Sequence, residues 1–105
     1  MKTYNKLIRD KIPQIIEASG KQCTVKVMED TEYIEALKTK MQEELNEFLE
    51  ASEDQQLEEL ADLLEVMYSF VQTKGVSVDE LERIRKEKHD KNGGFQERLL
   101  LIEVK

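Results

Sequence analysis

Glu44 and Glu47 stand three residues apart, and so do Glu59 and Asp62. On a helix, that spacing projects each pair from one face. Carboxylate oxygens are the ligands that hard divalent ions prefer, so the two pairs together predict a site for Mg²⁺, with Mn²⁺ as a substitute. An ion held this way, with coordination positions left open, can neutralise phosphate oxygens and activate a water. A lone pair of glutamates at this spacing is most often a solvated helix face. Two pairs at matched levels on neighbouring helices point instead to a site. From Met41 to Thr73 the chain carries ten acidic residues and no Lys or Arg. Burying carboxylates without compensation costs several kcal/mol per ion, and a divalent cation supplies the charge this block lacks. Glu43, Glu50, Glu58 and Glu65 are expected at the surface, with Glu43 or Glu58 placed to assist a bound water. A carboxylate-bridged di-iron centre would use Glu-x-x-His pairs, and the only histidine, His89, lies far along the chain.

The elements that must position these residues are helical. Ile34, Leu37, Met41, Leu45, Phe48 and Leu49 recur at helical spacing after the capping candidates Asp30 and Thr31, and predict a helix to about residue 51. Ser52-Glu-Asp-Gln55 has the capping-box pattern and opens a second long helix, which Gly75 stops after Lys74. So short a connection makes the two helices antiparallel neighbours. Counted outward from the turn, Glu47 faces Glu59 and Glu44 faces Asp62, with a mismatch of about one residue, or ~1.5 Å of rise. At ~100° per residue, Glu59 falls between Val66 and Phe70 on the apolar side, and the leucine-rich second helix is expected to be central and buried on most sides.

Around this hairpin, Asp10, Pro13 and Gly20 bracket a short amphipathic helix, and Ser77-Val-Asp-Glu80 opens a charged helix to about Lys91, ended by Asn92-Gly-Gly94. Residues 22–28 and 98–104 are β-prone enough to predict short strands. The expected fold is mainly α: a helical hairpin extended to a bundle of about four helices in one domain over residues 1–105, its core completed by oligomerisation. Chains this short bury only about two thirds of the surface exposed on unfolding.

Net charge is −7, yet outside the acidic block the chain has 16 basic and 13 acidic residues. The acidic centre argues against a nucleic-acid polymer as partner, while a small phosphate ligand carried with a metal is compatible. Phosphate cations are offered by Lys88 and Lys91, which share a helix face, and by Lys6 and Arg9 near the N-terminus. His89 is expected to be an exposed bystander, and Tyr4 and Phe95 to seal a small core. Cys23 has no partner for a disulfide or a zinc site and reads as a small apolar residue. No apolar run approaches the ~20 residues of a membrane span, so the expectation is a cytoplasmic protein without membrane partners.

The segment Glu43-Glu44-Leu-Asn-Glu47 with Glu59-Leu-Ala-Asp62 resembles the paired acidic signature of the all-α nucleotide pyrophosphohydrolases, the MazG-like and phosphoribosyl-ATP pyrophosphohydrolase superfamily. Tyr4-Asn-Lys-Leu-Ile-Arg-Asp-Lys-Ile-Pro13 and Lys91-Asn-Gly-Gly-Phe95 are similar to blocks in small members of that group. The resemblance implies Mg²⁺-dependent hydrolysis of a nucleoside triphosphate or related nucleotide to monophosphate and pyrophosphate, often to remove non-standard nucleotides. It places Glu44, Glu47, Glu59 and Asp62 on the metal, with basic residues late in the charged helix on phosphates. It also implies dimers or tetramers whose sites borrow residues between subunits. Asn92 stands where that pattern has an arginine. Two other readings remain at this stage: a noncatalytic helical interaction or metal-regulated module, and a phosphohydrolase releasing orthophosphate.

Overall fold

A computed structural model describes residues 2–105. Four helices carry the fold: α1 (Ile12–Ala18), α2 (Asp30–Glu50), α3 (Gln56–Gln72) and α4 (Val78–Asn92). Helices α2 and α3 form the expected antiparallel hairpin, with Leu37 of α2 and Val66 of α3 at its core. These are the buried apolar residues, at 2% and 8% exposure. The reversal uses two extended residues, Ala51 and Ser52, followed by a single 3₁₀ turn, Glu53–Gln55, that leads into α3. Ser52 does not close a capping box; its hydroxyl donates to Asp54 at 2.6 Å, and its carbonyl accepts from the Gln55 amide. The side chain is thereby diverted into a local turn.

Helix α1 begins one residue later than expected, with Lys11 rather than Asp10 in the capping position and Pro13 in the first turn. It ends in a left-handed Gly20 (φ +88°), with the Lys21 amide donating back to Ile16, a closure that a residue with a Cβ would strain. Helix α4 packs on α3 and not on α2. Its early residues Val78 and Leu81 are partly covered, and every residue from Glu82 onward is exposed.

Neither predicted strand forms. Residues 21–29 and 93–105 form no strand pairing: the first is irregular, and the second turns at Phe95–Arg98, where the Arg98 amide donates to the Phe95 carbonyl, before running on unpaired. Leu99, Leu100, Leu101, Ile102 and Val104 therefore stand exposed. Tyr4 and Phe95 also do not seal a core; both are exposed, and the Tyr4 ring instead lies beneath the ammonium groups of Lys2 and Lys6 at 5.3 and 5.7 Å. Helix α3 is less buried than its composition predicts: Leu57, Leu60, Leu64 and Met67 line an open stripe. The radius of gyration is 18.2 Å, against about 13 Å for a compact chain of this length. One chain thus leaves much of its apolar surface uncovered.

Candidate metal centre

The hairpin brings Glu44 of α2 across from Glu59 and Asp62 of α3. Each offers one oxygen, and the three lie within 4.8 Å of one another. An octahedral Mg²⁺ with bonds of about 2.0–2.1 Å needs ligand oxygens no more than about 4.2 Å apart, a closure that small side-chain rotations supply. Glu44 is buried at 6% exposure, and Glu59 and Asp62 are partly buried. Two oxygens, Glu44 Oε2 and Glu59 Oε2, are buried with no hydrogen-bond partner. Such atoms are rare in folded proteins because each loses its hydration without recompense. An all-oxygen, acid-rich set with orphaned oxygens fits a hard divalent cation.

Electrostatics sharpen that fit. Burial pushes the Glu44 carboxyl above its usual range, and the neighbouring Glu47 carboxyl raises it further, while Lys40 partly opposes both. Glu47 itself is exposed, beside Glu44 and outside the three-oxygen cluster, so the structure joins three of the four expected ligands closely and leaves the fourth at the rim. Two cations flank the cluster. Arg9 Nη2 donates to Asp62 Oδ1 at 2.7 Å, and Lys40 Nζ lies 3.3 Å from both Glu43 and Glu44. Burial alone would lower the Lys40 pKa, but hydrogen bonds and attraction from Glu43 and Glu44 outweigh it and raise it, so the ammonium stays charged.

Lys40 is the residue that sequence reasoning missed. It sits immediately before the acidic block, three and four residues ahead of Glu43 and Glu44, a spacing that places it on their face. Of the other expected phosphate contacts, Lys6 lines a hollow beside Lys40 and Glu43. Lys88 and Lys91 stand on the exposed length of α4, form no ion pair among the described residues, and are not brought to the carboxylates within one chain. His89 is more than half exposed, with its imidazole against the Gly94 backbone, where an added Cβ would come within 3.2 Å of Nε2. The ring thus lies beside the glycine turn that ends α4.

Residues 1–91 match the family model described as phosphoribosyl-ATP pyrophosphohydrolase. The chain belongs to that family. The match covers both acidic pairs and ends at Lys91, so the last residue of α4 and the C-terminal segment after it lie beyond the region matched to the phosphoribosyl-ATP pyrophosphohydrolase family. An uncharacterized protein of Mycolicibacterium smegmatis is 44% identical over 41 residues, which are 39% of this chain and 42% of that relative. The chain therefore covers less than half the length of this curated relative. No solved structure matches. No helix among the described residues is long and apolar enough to cross a membrane.

Proposed function

We propose that this chain is a Mg²⁺-dependent nucleotide pyrophosphohydrolase, cleaving a nucleoside triphosphate or related nucleotide to its monophosphate and pyrophosphate, with clearance of non-standard nucleotides as its role. The observation that carries this reading is the pair of buried, partnerless oxygens on Glu44 and Glu59, residues whose carboxylates come together with Asp62 across the hairpin. Family membership supports the reaction class. Glu44, Glu59 and Asp62 hold the ion, and Glu47 completes its sphere from the rim. When bound, Mg²⁺ (or Mn²⁺) supplies charge neutralisation and an acidified water. Glu43, tethered by Lys40, is placed to accept a proton from a water at the edge of the cluster. Arg9, drawn to Asp62, is the nearest cation for a phosphate that enters there.

A second copy of the chain covers the open stripe Leu57, Leu60, Leu64 and Met67, giving a homodimer or homotetramer. In that assembly Lys88 and Lys91 serve phosphates from a neighbouring α4. The working place is the cytoplasm, with no nucleic-acid polymer or membrane as partner.

The test is a panel of standard and modified nucleotides, with and without Mg²⁺, with products separated. Monophosphate plus pyrophosphate is the expected result. Orthophosphate as the first product, or no turnover across the panel, overturns the proposal and favours a phosphohydrolase or a noncatalytic module respectively.

A further inference from the structure

The N-terminal strap, residues 2–9, and α2 border an open hollow of about 140 Å³ next to the carboxylates. Its floor is one helix face, Ala36, Thr39, Lys40 and Glu43, at the i, i+3, i+4, i+7 positions of α2. Its wall is the strap at Asn5 and Lys6. The small side chains of Ala36 and Thr39 leave the space, and Asn5 turns the strap there through a left-handed backbone (φ +48°) that asparagine tolerates better than most residues. Two lysines, Lys6 and Lys40, line this hollow with Leu7 and one carboxylate, Glu43. Lys40 is the hinge between hollow and cluster, since the same nitrogen touches Glu43 and Glu44.

Size decides what could enter. Sites for drug-sized molecules run from about 300 to 1,000 Å³, so the covered part of this hollow holds a compact anion and not a whole nucleoside. In a triphosphate-like substrate, the portion with no sugar or base is the terminal pyrophosphoryl group. We propose that the hollow between the strap and α2 binds this terminal diphosphate, with Lys40 and Lys6 as its cations and Asn5 and Thr39 as hydrogen-bond donors. This rests on the pyrophosphohydrolase reading and adds to it the location of the leaving group. The phosphate cations would then lie on α2 and the strap of the same chain, across the hairpin from Asp62 of α3.

Calorimetric titration of the full chain with inorganic diphosphate, in Mg²⁺ and separately in EDTA, tests the assignment. Lys40→Met should weaken diphosphate binding about 10-fold or more, the scale of a lost charge-assisted hydrogen bond. Lys40→Arg should restore most of it. Ala36→Leu changes no charge and fills the hollow, so it should weaken diphosphate binding while Mg²⁺ titrates as in the parent; circular dichroism checks that each variant folds. A nucleoside monophosphate should bind all of them alike. Unchanged diphosphate affinity in both Lys40→Met and Ala36→Leu overturns the proposal, as does a loss confined to the monophosphate. If the parent fails to bind diphosphate yet releases it from nucleotides under Mg²⁺, the hollow assignment falls and the proposed activity stands. If Glu59→Gln keeps full Mg²⁺-dependent turnover, the metal reading falls instead.

Discussion

The α2–α3 hairpin and helix α4 are both rich in acidic residues, but they handle charge in opposite ways. On α4 the charges are settled locally: Arg83 pairs with Glu80 and Glu87, Arg85 with Glu82, and Lys86 with Asp90, all three or four residues apart. These partners lower the Glu80 and Glu82 carboxyls and raise both arginines. On the hairpin, Glu44 and Glu59 each keep a buried oxygen with no partner, and the cations that approach come from outside the acidic block. A helix whose charges cancel along its own length leaves no buried charge that calls for a ligand. A hairpin that leaves charge uncancelled in its interior fits a bound cation, as proposed for this site.

The largest expected effect follows from breaking that asymmetry at its centre. Glu59→Gln should lower Mg²⁺-dependent turnover by ~100-fold or more, since even residues that only support a metal ligand cost about 10- to 100-fold; steady-state rates against Mg²⁺ concentration provide the check. Next, Leu37→Ala should destabilise the chain by about 2–5 kcal/mol, and Ile84→Ala on the exposed flank of α4 by well under that, as read from urea midpoints. Equal losses at the two positions would contradict a core confined to the hairpin.

A third contrast is between pH responses. The folded state holds the Glu44 carboxyl above its usual range, so it binds a proton more readily than the unfolded chain. Its contribution to stability is fully present below the unfolded pKa, near 4.5, and is lost as pH rises through the higher folded value. In EDTA, the difference in stability between Glu44→Gln and the parent should therefore widen in the variant's favour from pH 4 to pH 8. Saturating Mg²⁺ should narrow it. Urea midpoints across that range measure it. The smallest effect belongs to α4: Lys88→Gln with Lys91→Gln should raise KM by a few-fold, roughly 1 kcal/mol or less, and leave Mg²⁺ binding unchanged.

The hairpin was legible because both of its signals are local. Helical periodicity and a short connection determine which faces meet, and the spacing of Glu44, Glu59 and Asp62 does the rest. Glu47 shares that spacing, but sits about one turn nearer the reversal, where its side chain reaches solvent. The contact of Arg9 with Asp62 spans 53 positions, and no periodicity encodes a pairing between a strap and a helix. Lys40 was legible in principle, but counting charges within the acidic block hid a lysine one residue outside it. The predicted strands failed for a different reason. A β-prone composition at residues 22–28 and 98–104 describes a chain willing to pair, while pairing itself needs a second edge, which a helical fold does not provide.

The reversal at Ala51 and Ser52, with its single 3₁₀ turn, also determines how this site could be lost over evolutionary time. Substitutions there change little, because the residues are exposed or partly exposed and the backbone carries the bend. Length is another matter. One residue added to the turn and absorbed into α3 would swing Glu59 and Asp62 by about 100° around the helix while leaving both helices intact. About seven added residues, two full turns, would restore the facing side but move it some 10 Å along the axis. The turn should therefore drift freely in composition and stay nearly fixed in length wherever the metal centre is kept, and a lineage with an altered count there is one in which the hairpin has taken up other work.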